Sequence, residues 1–144
     1  MKLRVMIVDD HRAFRRALAQ TLADDPGVEV VAEAGDGIEA LARAAACLPD
    51  VVCMDISMPR LNGIEATRLL LAAQPQVKVI GLSAYVEQHL VQELLAAGAV
   101  GYVNKAEAAM ELADAIKAVS SGGKYLGSSL ANAEIEAAKN RDSG

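Results

Sequence analysis

The chain alternates short apolar runs with longer segments in which apolar residues recur every three or four positions. Several runs are nearly continuous and rich in β-branched residues, which is typical of strands buried on both faces of a sheet. We predict five strands, at residues 3–8, 28–32, 51–54, 77–82 and 99–103. Because a helical segment follows each strand, the sequence predicts an α/β fold with a doubly wound five-stranded parallel sheet and helices on both faces.

Helical periodicity marks the segments between the strands. The apolar stripes are Phe14, Leu18 and Leu22 in the first helix, Ile64, Thr67 and Leu71 in the third, Leu90, Val91, Leu94 and Leu95 in the fourth, and Ala109, Leu112, Ile116 and Val119 in the last. Glycine, proline and aspartate mark the junctions, as at residues 25–27 and 35–37. In a sheet of this kind, a ligand site is expected at the carboxyl ends of the strands.

Composition narrows the class of protein. With 144 residues, 53% of them hydrophobic, the chain has material for one domain with a substantial core. Its net charge of −5 argues against a chain that itself binds nucleic acid by neutralising phosphates. The two cysteines, Cys47 and Cys53, make no disulfide framework, and Cys53 is interpreted as a core residue. Without a membrane-length apolar run or a signal-peptide pattern, we expect a cytoplasmic protein that does not contact the membrane.

The sequence after the last predicted helix has a different character. Gly122 and Gly123 interrupt the helical pattern, and residues 128–144 are alanine-rich and only weakly amphipathic. This stretch is long enough for one short helix but too short for a helix-turn-helix domain, which needs at least two packed helices. We therefore predict a domain at residues 1–121, followed by a linker and tail at residues 122–144 and no DNA-binding domain in this chain.

Polar residues follow four of the five predicted strands. Asp9 and Asp10 follow the first strand, and Asp55 follows the third. Ser83 follows the fourth strand, and Lys105 comes shortly after the fifth. Because parallel strands end at one edge of a sheet, we expect three carboxylates, one hydroxyl and one amine to meet there.

Such a group has definite chemistry. Three close carboxylates repel one another and call for a hard divalent cation, of which Mg²⁺ fits best. With that charge neutralised, an aspartate can act as a nucleophile and form an aspartyl phosphate. The loose transition state of phosphoryl transfer needs positioning and charge neutralisation, which Mg²⁺, the Lys105 ammonium and the Ser83 hydroxyl would supply.

Four stretches resemble the receiver domain of bacterial two-component response regulators: residues 8–10, 54–59 with Gly63 after them, 82–84 and 97–105. The resemblance implies a flavodoxin-like strand order of 2-1-3-4-5 and Mg²⁺-dependent phosphoryl transfer from a sensor histidine kinase. Residues 122–126 resemble the linker of regulators that have a helix-turn-helix DNA-binding output. That resemblance implies transcription regulation by a longer protein, which would contact DNA only through an output domain missing from this chain.

The resemblance also implies a role for each acidic residue. Asp55 would be the phosphoacceptor and a ligand of Mg²⁺. Asp10 would ligate the ion directly and Asp9 through a water molecule. The backbone carbonyl of Ser57 would be a further ligand.

Three more residues would respond to the phosphoryl group. Lys105 would pair with it, Ser83 would move to bond it, and Tyr102 would swing inward behind it. The movement would reshape the surface of the fourth helix, fifth strand and fifth helix, and homodimerisation on phosphorylation would suit a regulator that reads paired DNA half-sites. Read on its own, Tyr102 is a half-buried aromatic residue of a strand.

Some positions depart from the family's pattern. Ala106 stands where many receivers have proline after a bond that is often cis, and a cis non-proline bond costs ~2.5–4 kcal/mol. Either the fold carries that strain or the bond is trans and Lys105 is placed differently. Ser83 replaces the commoner threonine. Ser57 and Tyr85 lie at variable positions beside the site, and a bulky Tyr85 is hypothesised to shield the phosphoryl group.

Simpler interpretations compete with these roles. Asp9 and Asp10 are also good helix caps, and a lone lysine such as Lys105 is usually solvated. His11 is interpreted as an ordinary surface or helix residue. The arginines of the first helix, Arg12, Arg15 and Arg16, are interpreted as a solvated face that could help to dock an acidic kinase surface.

We compare three possible functions from different classes of protein. The leading one is a signalling switch that catalyses its own phosphorylation and dephosphorylation, and is not a metabolic enzyme. The second is an interaction module that is no longer phosphorylated. The third, a flavin carrier, is nearly excluded because Asp9 and Asp10 put negative charge where a flavin phosphate needs amides. The chain is either a stand-alone receiver or, as we favour, the front part of a longer regulator.

Overall fold

The computed structural model describes residues 2–58, 61–84 and 88–127. The strands are β1 (Leu3–Val8), β2 (Val28–Ala34), β3 (Val51–Asp55), β4 (Lys78–Ser83), β5 (Gly101–Asn104) and β6 (Tyr125–Leu126). The helices are α1 (Arg12–Ala23), α2 (Gly37–Cys47), α3 (Gly63–Ala73), α4 (Gln88–Ala96) and α5 (Ala108–Ser120). The predicted βα alternation is confirmed, with strand boundaries that differ from the prediction by up to two residues.

All the strand pairs are parallel, and the sheet has the order β2-β1-β3-β4-β5-β6. The predicted order of the first five strands is confirmed, but the sheet has a sixth strand that the sequence analysis assigned to the linker. The N–H of Tyr125 donates to the carbonyl of Val100 at 3.0 Å, and the N–H of Gly127 donates to that of Tyr102 at 2.8 Å. These bonds attach β6 to the edge of β5.

The strands are apolar throughout because both faces of the sheet are covered. In β1, Met6 and Val8 pack into the cluster that also holds Leu70 of α3, on the face of α2, α3 and α4. Val5 and Ile7 point the other way, into the cluster formed with α1 and α5. The continuous apolar runs therefore have the physical cause that the sequence analysis assumed.

The core departs from the prediction in three places. In α5 the buried stripe begins at Ala108, whereas Ala109 is exposed. In α3 it is Leu70 that is fully buried, and Leu71 is only partly so. Tyr102 is completely buried, so its interpretation as a half-buried residue was wrong. Cys53 lies in the core, as expected.

No cis peptide bond occurs among the described residues, so the bond between Lys105 and Ala106 is trans. The predicted short helix at residues 128–144 lies outside the described residues. So do Tyr85, with its hypothesised shielding role, and Pro59 of the resembling stretch. Within the described residues, no helix has the length and apolar character that a membrane crossing requires.

Candidate phosphoacceptor site

The first part of the site is the turn that joins β1 to α1, residues 9–11, which we call the acid turn. Asp9 is completely buried, and the side chain of Asp10 is 31% exposed. Oδ1 of Asp9 accepts a hydrogen bond from the backbone N–H of His11 at 2.8 Å. The N-cap residue of α1 is His11, without a side-chain cap bond, so the alternative that the acid pair caps this helix was wrong.

His11 is an exposed residue of this turn whose ring lies beside both carboxylates. Its Nδ1 atom lies 3.5 Å from Oδ1 of Asp9 and 3.4 Å from Oδ1 of Asp10. The interpretation of His11 as a surface residue agrees with its 74% exposed side chain, although its ring also lies beside both acidic residues of the turn.

The second part of the site is Asp55, the last residue of β3. It is buried, and its Oδ1 atom accepts a hydrogen bond from the N–H of Ser57 at 3.1 Å. The carbonyl of Leu82 in β4 accepts from the N–H of Ile56 at 3.1 Å, which continues the sheet one residue past Asp55. The next helix starts at Gly63, where Asn62 caps the N–H of Glu65.

The third part is Lys105, directly after β5. Its Nζ atom lies 2.7 Å from Oδ2 of Asp9 and 3.1 Å from Oδ2 of Asp55, and its side chain is only 15% exposed. The backbone N–H of Lys105 donates to the carbonyl of Ser83 at 2.8 Å. Its ammonium also lies 5.2 Å from the ring centroid of Phe14 in α1. Lys105 is thus not a solvated lysine, and it reaches both carboxylates from a trans peptide bond.

Burial changes the acid–base behaviour of this group. It is the main reason why the pKa of Asp55 rises from its ordinary 3.8 to about 6. The charge of Asp9 also raises this pKa, whereas the Ser57 N–H and the Lys105 ammonium lower it. Burial alone would lower the pKa of Lys105, but its contacts with Asp9 and Asp55 outweigh burial and raise it. Lys105 is therefore charged. The Lys105 ammonium does not fully compensate an ionised Asp55, so a further positive charge would stabilise that carboxylate.

The donor set fits a divalent cation. Ligand atoms of Asp9, Asp10, His11 and Asp55 all lie within 4.8 Å of one another. Oδ2 of Asp9 and Oδ2 of Asp55 are buried, and their positive partner is the single ammonium of Lys105. The carboxylate oxygens suit Mg²⁺, which prefers oxygen ligands and is usually bound directly by one or two carboxylates while it keeps several waters.

The predicted switch residues lie on β4 and β5, the two strands that follow β3 in the sheet. Ser83 is buried at the end of β4 and pairs with Asn104 of β5. Tyr102 pairs with Gly81 and is buried in the cluster on the face of α2, α3 and α4. Tyr102 thus already lies inside the protein in this structure. The roles of these residues and of the Ser57 carbonyl stay predictions.

Sequence reasoning missed Arg15. Its guanidinium is largely buried and bonds to the carbonyl of Asp9 and to the carboxylate of Glu33, so it is not part of a solvated face. The available signal was Glu33 itself, an acidic residue near the end of an otherwise apolar strand, since a partly buried carboxylate needs a partner.

The chain is similar to known proteins along most of its length. The sequence profile described as "Response regulator receiver domain" matches residues 5–117. The chain is 42% identical over 125 residues to the transcriptional regulatory protein DegU of Brevibacillus brevis, a match that covers 87% of the chain and 53% of DegU. It is 40% identical over 129 residues to the response regulator GacA of Pseudomonas viridiflava, covering 90% of the chain and 60% of GacA. The chain thus spans little more than half the length of these relatives.

A solved structure resembles the whole fold. A two-component response regulator of the LuxR family from Aurantimonas sp. SI85-9A1 superposes with a TM-score of 0.89 at 32% identity. The match covers 95% of the chain and 99% of the chain in that solved structure. Sequence and structure therefore point to the same family.

Proposed function

The chain belongs to the response regulator receiver domain family, and we propose that Asp55 accepts a phosphoryl group from a sensor histidine kinase in a reaction that needs Mg²⁺. The observation that carries this proposal is the Lys105 ammonium held between buried Asp9 and Asp55 at 2.7 Å and 3.1 Å. This arrangement puts a fixed positive charge beside the attacking carboxylate, where the transferred group gathers negative charge.

The reaction is an exchange of bonds at phosphorus. An oxygen of Asp55 attacks the phosphorus of a phosphohistidine, the phosphorus–nitrogen bond breaks, and the departing imidazole takes a proton. The Ser57 N–H holds Oδ1 of Asp55 at 3.1 Å, which leaves Oδ2, the oxygen beside Lys105, to attack. Lys105 then follows the negative charge from the carboxylate to the phosphoryl oxygens.

The acidic residues and one carbonyl would hold the metal. Asp10 and Asp55 would ligate Mg²⁺ directly, together with the backbone carbonyl of Ser57, and Asp9 would act through a water molecule. The ion supplies positive charge that lets a phosphoryl dianion approach a carboxylate. The partial exposure of Asp10 supports this assignment, because it leaves room for the waters that Mg²⁺ retains.

The response to phosphorylation would be a shift between two arrangements. The Ser83 hydroxyl would bond the phosphoryl group, and this would favour the inward position of Tyr102. Since Tyr102 is already inside in this structure, the phosphoryl group would stabilise that position rather than create it. The surface of α4, β5 and α5 would change as a result, and homodimerisation would follow from it.

The remaining assignments concern the whole protein. We assign residues 1–121 to the receiver domain and residues 122–144 to a linker and tail. The names of the relatives support transcription regulation, with DNA bound by an output domain that lies outside this chain. A cytoplasmic location and a catalytic role limited to the chain's own phosphorylation and dephosphorylation belong to the same proposal.

The decisive experiment is the intact mass of the protein after incubation with Mg²⁺ and a small phosphodonor. We expect one added phosphoryl group in the native chain, and none without Mg²⁺ or in Asp55→Asn. Asp50→Asn, which changes an acidic residue at the opposite end of β3, is the matched control and should be phosphorylated normally. An unmodified native chain that also fails to bind Mg²⁺ would favour a phosphorylation-independent interaction module.

A further inference from the structure

Arg15 connects α1 to the backbone of the acid turn. Its Nη1 atom donates to the carbonyl oxygen of Asp9 at 2.6 Å and to that of Ala34 at 3.4 Å. Its Nε atom donates to Oε1 of Glu33 at 3.1 Å. The side chain is only 16% exposed, so these bonds form largely away from water. One guanidinium thus joins the ends of β1 and β2.

The acid turn is held from both sides at Asp9. The N–H of Asp9 donates to the carbonyl of Ala34 at 3.0 Å, while the Asp9 carbonyl accepts from Arg15. With both polar groups of this peptide segment occupied, the Asp9 backbone has little freedom to rotate. The Asp9 carboxylate is then fixed through the His11 N–H at 2.8 Å. Arg15 therefore restrains the backbone that carries two of the three carboxylates.

The charge of Arg15 is largely compensated where it lies. Glu33 pairs with it at 3.1 Å and is itself 22% exposed. Arg15 thus contributes a fixed geometry more than a net positive charge. A planar guanidinium can bond a carbonyl and a carboxylate at once, whereas an ammonium is a compact point charge on a flexible chain.

The neighbouring Arg16 provides an internal comparison. It also contacts Glu33, at 3.5 Å, but its side chain is 60% exposed. Among the hydrogen bonds and ion pairs of the described residues, none joins Arg16 to the acid turn. Arg15 and Arg16 thus share Glu33, but Arg15 is more buried and also bonds the carbonyls of Asp9 and Ala34, which Arg16 does not.

We propose that Arg15, locked by Glu33, is a positioning residue that holds the acid turn in the arrangement that binds Mg²⁺. This inference rests on the proposed function. Groups that orient metal ligands from behind contribute typically 10–100-fold to metal affinity. Loss of Arg15 should therefore weaken Mg²⁺ binding while leaving the attacking carboxylate and Lys105 unchanged.

The first test measures Mg²⁺ affinity by calorimetry and the phosphorylation rate as a function of Mg²⁺ concentration. Arg15→Met should raise the Kd for Mg²⁺ about tenfold, and the phosphorylation rate should recover when Mg²⁺ is saturating. Arg15→Lys keeps the charge without the planar fork and should fall between Arg15→Met and the native protein. Arg16→Met, the matched control, should stay within about twofold of native.

The second test needs neither metal nor phosphoryl group. In EDTA, the His11 amide, which bonds the Asp9 carboxylate, should exchange its hydrogen faster in Arg15→Met and at the native rate in Arg16→Met. If Arg15→Met does not fold, Glu33→Gln replaces it, because it removes the group that locks Arg15 and should shift both measurements in the same direction.

The outcomes separate this inference from the proposed function. If Arg15→Met matches Arg16→Met in both Mg²⁺ affinity and His11 exchange, the positioning role is wrong even though the native chain is phosphorylated. A native chain that takes no phosphoryl group would overturn the proposed function. Weaker Mg²⁺ binding and faster His11 exchange in Arg15→Met would then still establish the positioning role.

Discussion

Lys105 lies closer to Asp9 than to any other carboxylate that it contacts, with 2.7 Å between Nζ and Oδ2 of Asp9. Asp9 is completely buried, so this ammonium is the cation that balances it when no metal is bound. We therefore expect Lys105 to have two roles. It would stabilise the metal-free fold, and in the proposed reaction it would pair with the phosphoryl group.

Lys105→Met should show how much Lys105 stabilises the metal-free fold. In EDTA, the free energy of unfolding should fall by about 2 kcal/mol, because removing one partner leaves buried carboxylates without compensation. Saturating Mg²⁺ should restore more stability to the variant than it adds to the native protein, since the ion replaces the missing charge. Urea unfolding with and without Mg²⁺ measures both effects.

The control for that prediction is Lys117→Met. Lys117 pairs with Asp25 at 2.8 Å on the surface, far along the chain from the acid turn. Its loss should have a small effect that is the same with and without Mg²⁺. An equal Mg²⁺ response in the Lys105 and Lys117 variants would show that Lys105 does not balance the site.

Asp55→Asn should stabilise the metal-free protein. The pKa of Asp55 is raised in the folded state to about 6, so folding favours its protonated form. That contribution is complete below the ordinary value of 3.8 and is lost as the pH rises through about 6. Above about pH 7 in EDTA, the free energy of unfolding of Asp55→Asn should exceed that of the native protein by about 2 kcal/mol. This difference should vanish below about pH 4.

The measurement is urea unfolding across this pH range in EDTA. Asp114→Asn removes the same charge from the exposed face of α5 and should show no comparable gain at neutral pH. An Asp55→Asn protein that is less stable than native at neutral pH would mean that the contact with Lys105 outweighs burial.

The hydroxyl of Ser83 should matter to the rate rather than to metal binding. Ser83→Ala should slow phosphoryl transfer from a small phosphodonor at least about tenfold at saturating Mg²⁺, because in the proposed reaction the lost hydroxyl would donate to the transferred group. Ser83→Thr keeps the hydroxyl and should remain near the native rate. A time course of intact mass measures both variants, and equal rates for alanine and serine would remove Ser83 from the reaction.

Gly63 should prove indispensable to the position of Asp55. A Cβ atom there would overlap the backbone oxygen of Asp55 and lie 2.7 Å from Cα of Ile56. Because backbone atoms cannot rotate aside, Gly63→Ala should cost about 3 kcal/mol or more in unfolding free energy. At Gly35 an added Cβ would have 3.4 Å to its nearest neighbour, so Gly35→Ala is the control. Similar unfolding midpoints for the two variants would contradict this packing.

Much of the fold was accessible from the sequence because a buried parallel sheet leaves a strong pattern. The strands are apolar on both faces, and the residues that follow them fall at one edge whatever their spacing along the chain. That is why Asp9, Asp55 and Lys105 could be predicted to meet. The phase of α5 was misjudged because alanine is small enough to lie on either face, so Ala108 and Ala109 give no signal.

Other features depend on contacts that a linear pattern does not contain. The two residues of β6 are too few to show alternation, and their pairing is set by β5. The contacts of Arg15 in α1 depend on Glu33, a residue of β2, so a cluster of arginines on one helix was indistinguishable from a solvated face. The surroundings of His11 follow from the sharp turn after β1.

The short strand β6 has a mechanical consequence. Directly after it, the Gly127 N–H donates to the carbonyl of Tyr102, a residue whose side chain is completely buried. The backbone of Tyr102 therefore contacts β4 on one side and residues 126–127 on the other. If β5 tilted during a change at Tyr102, residues 125–127 would move with it, because they are hydrogen-bonded to β5.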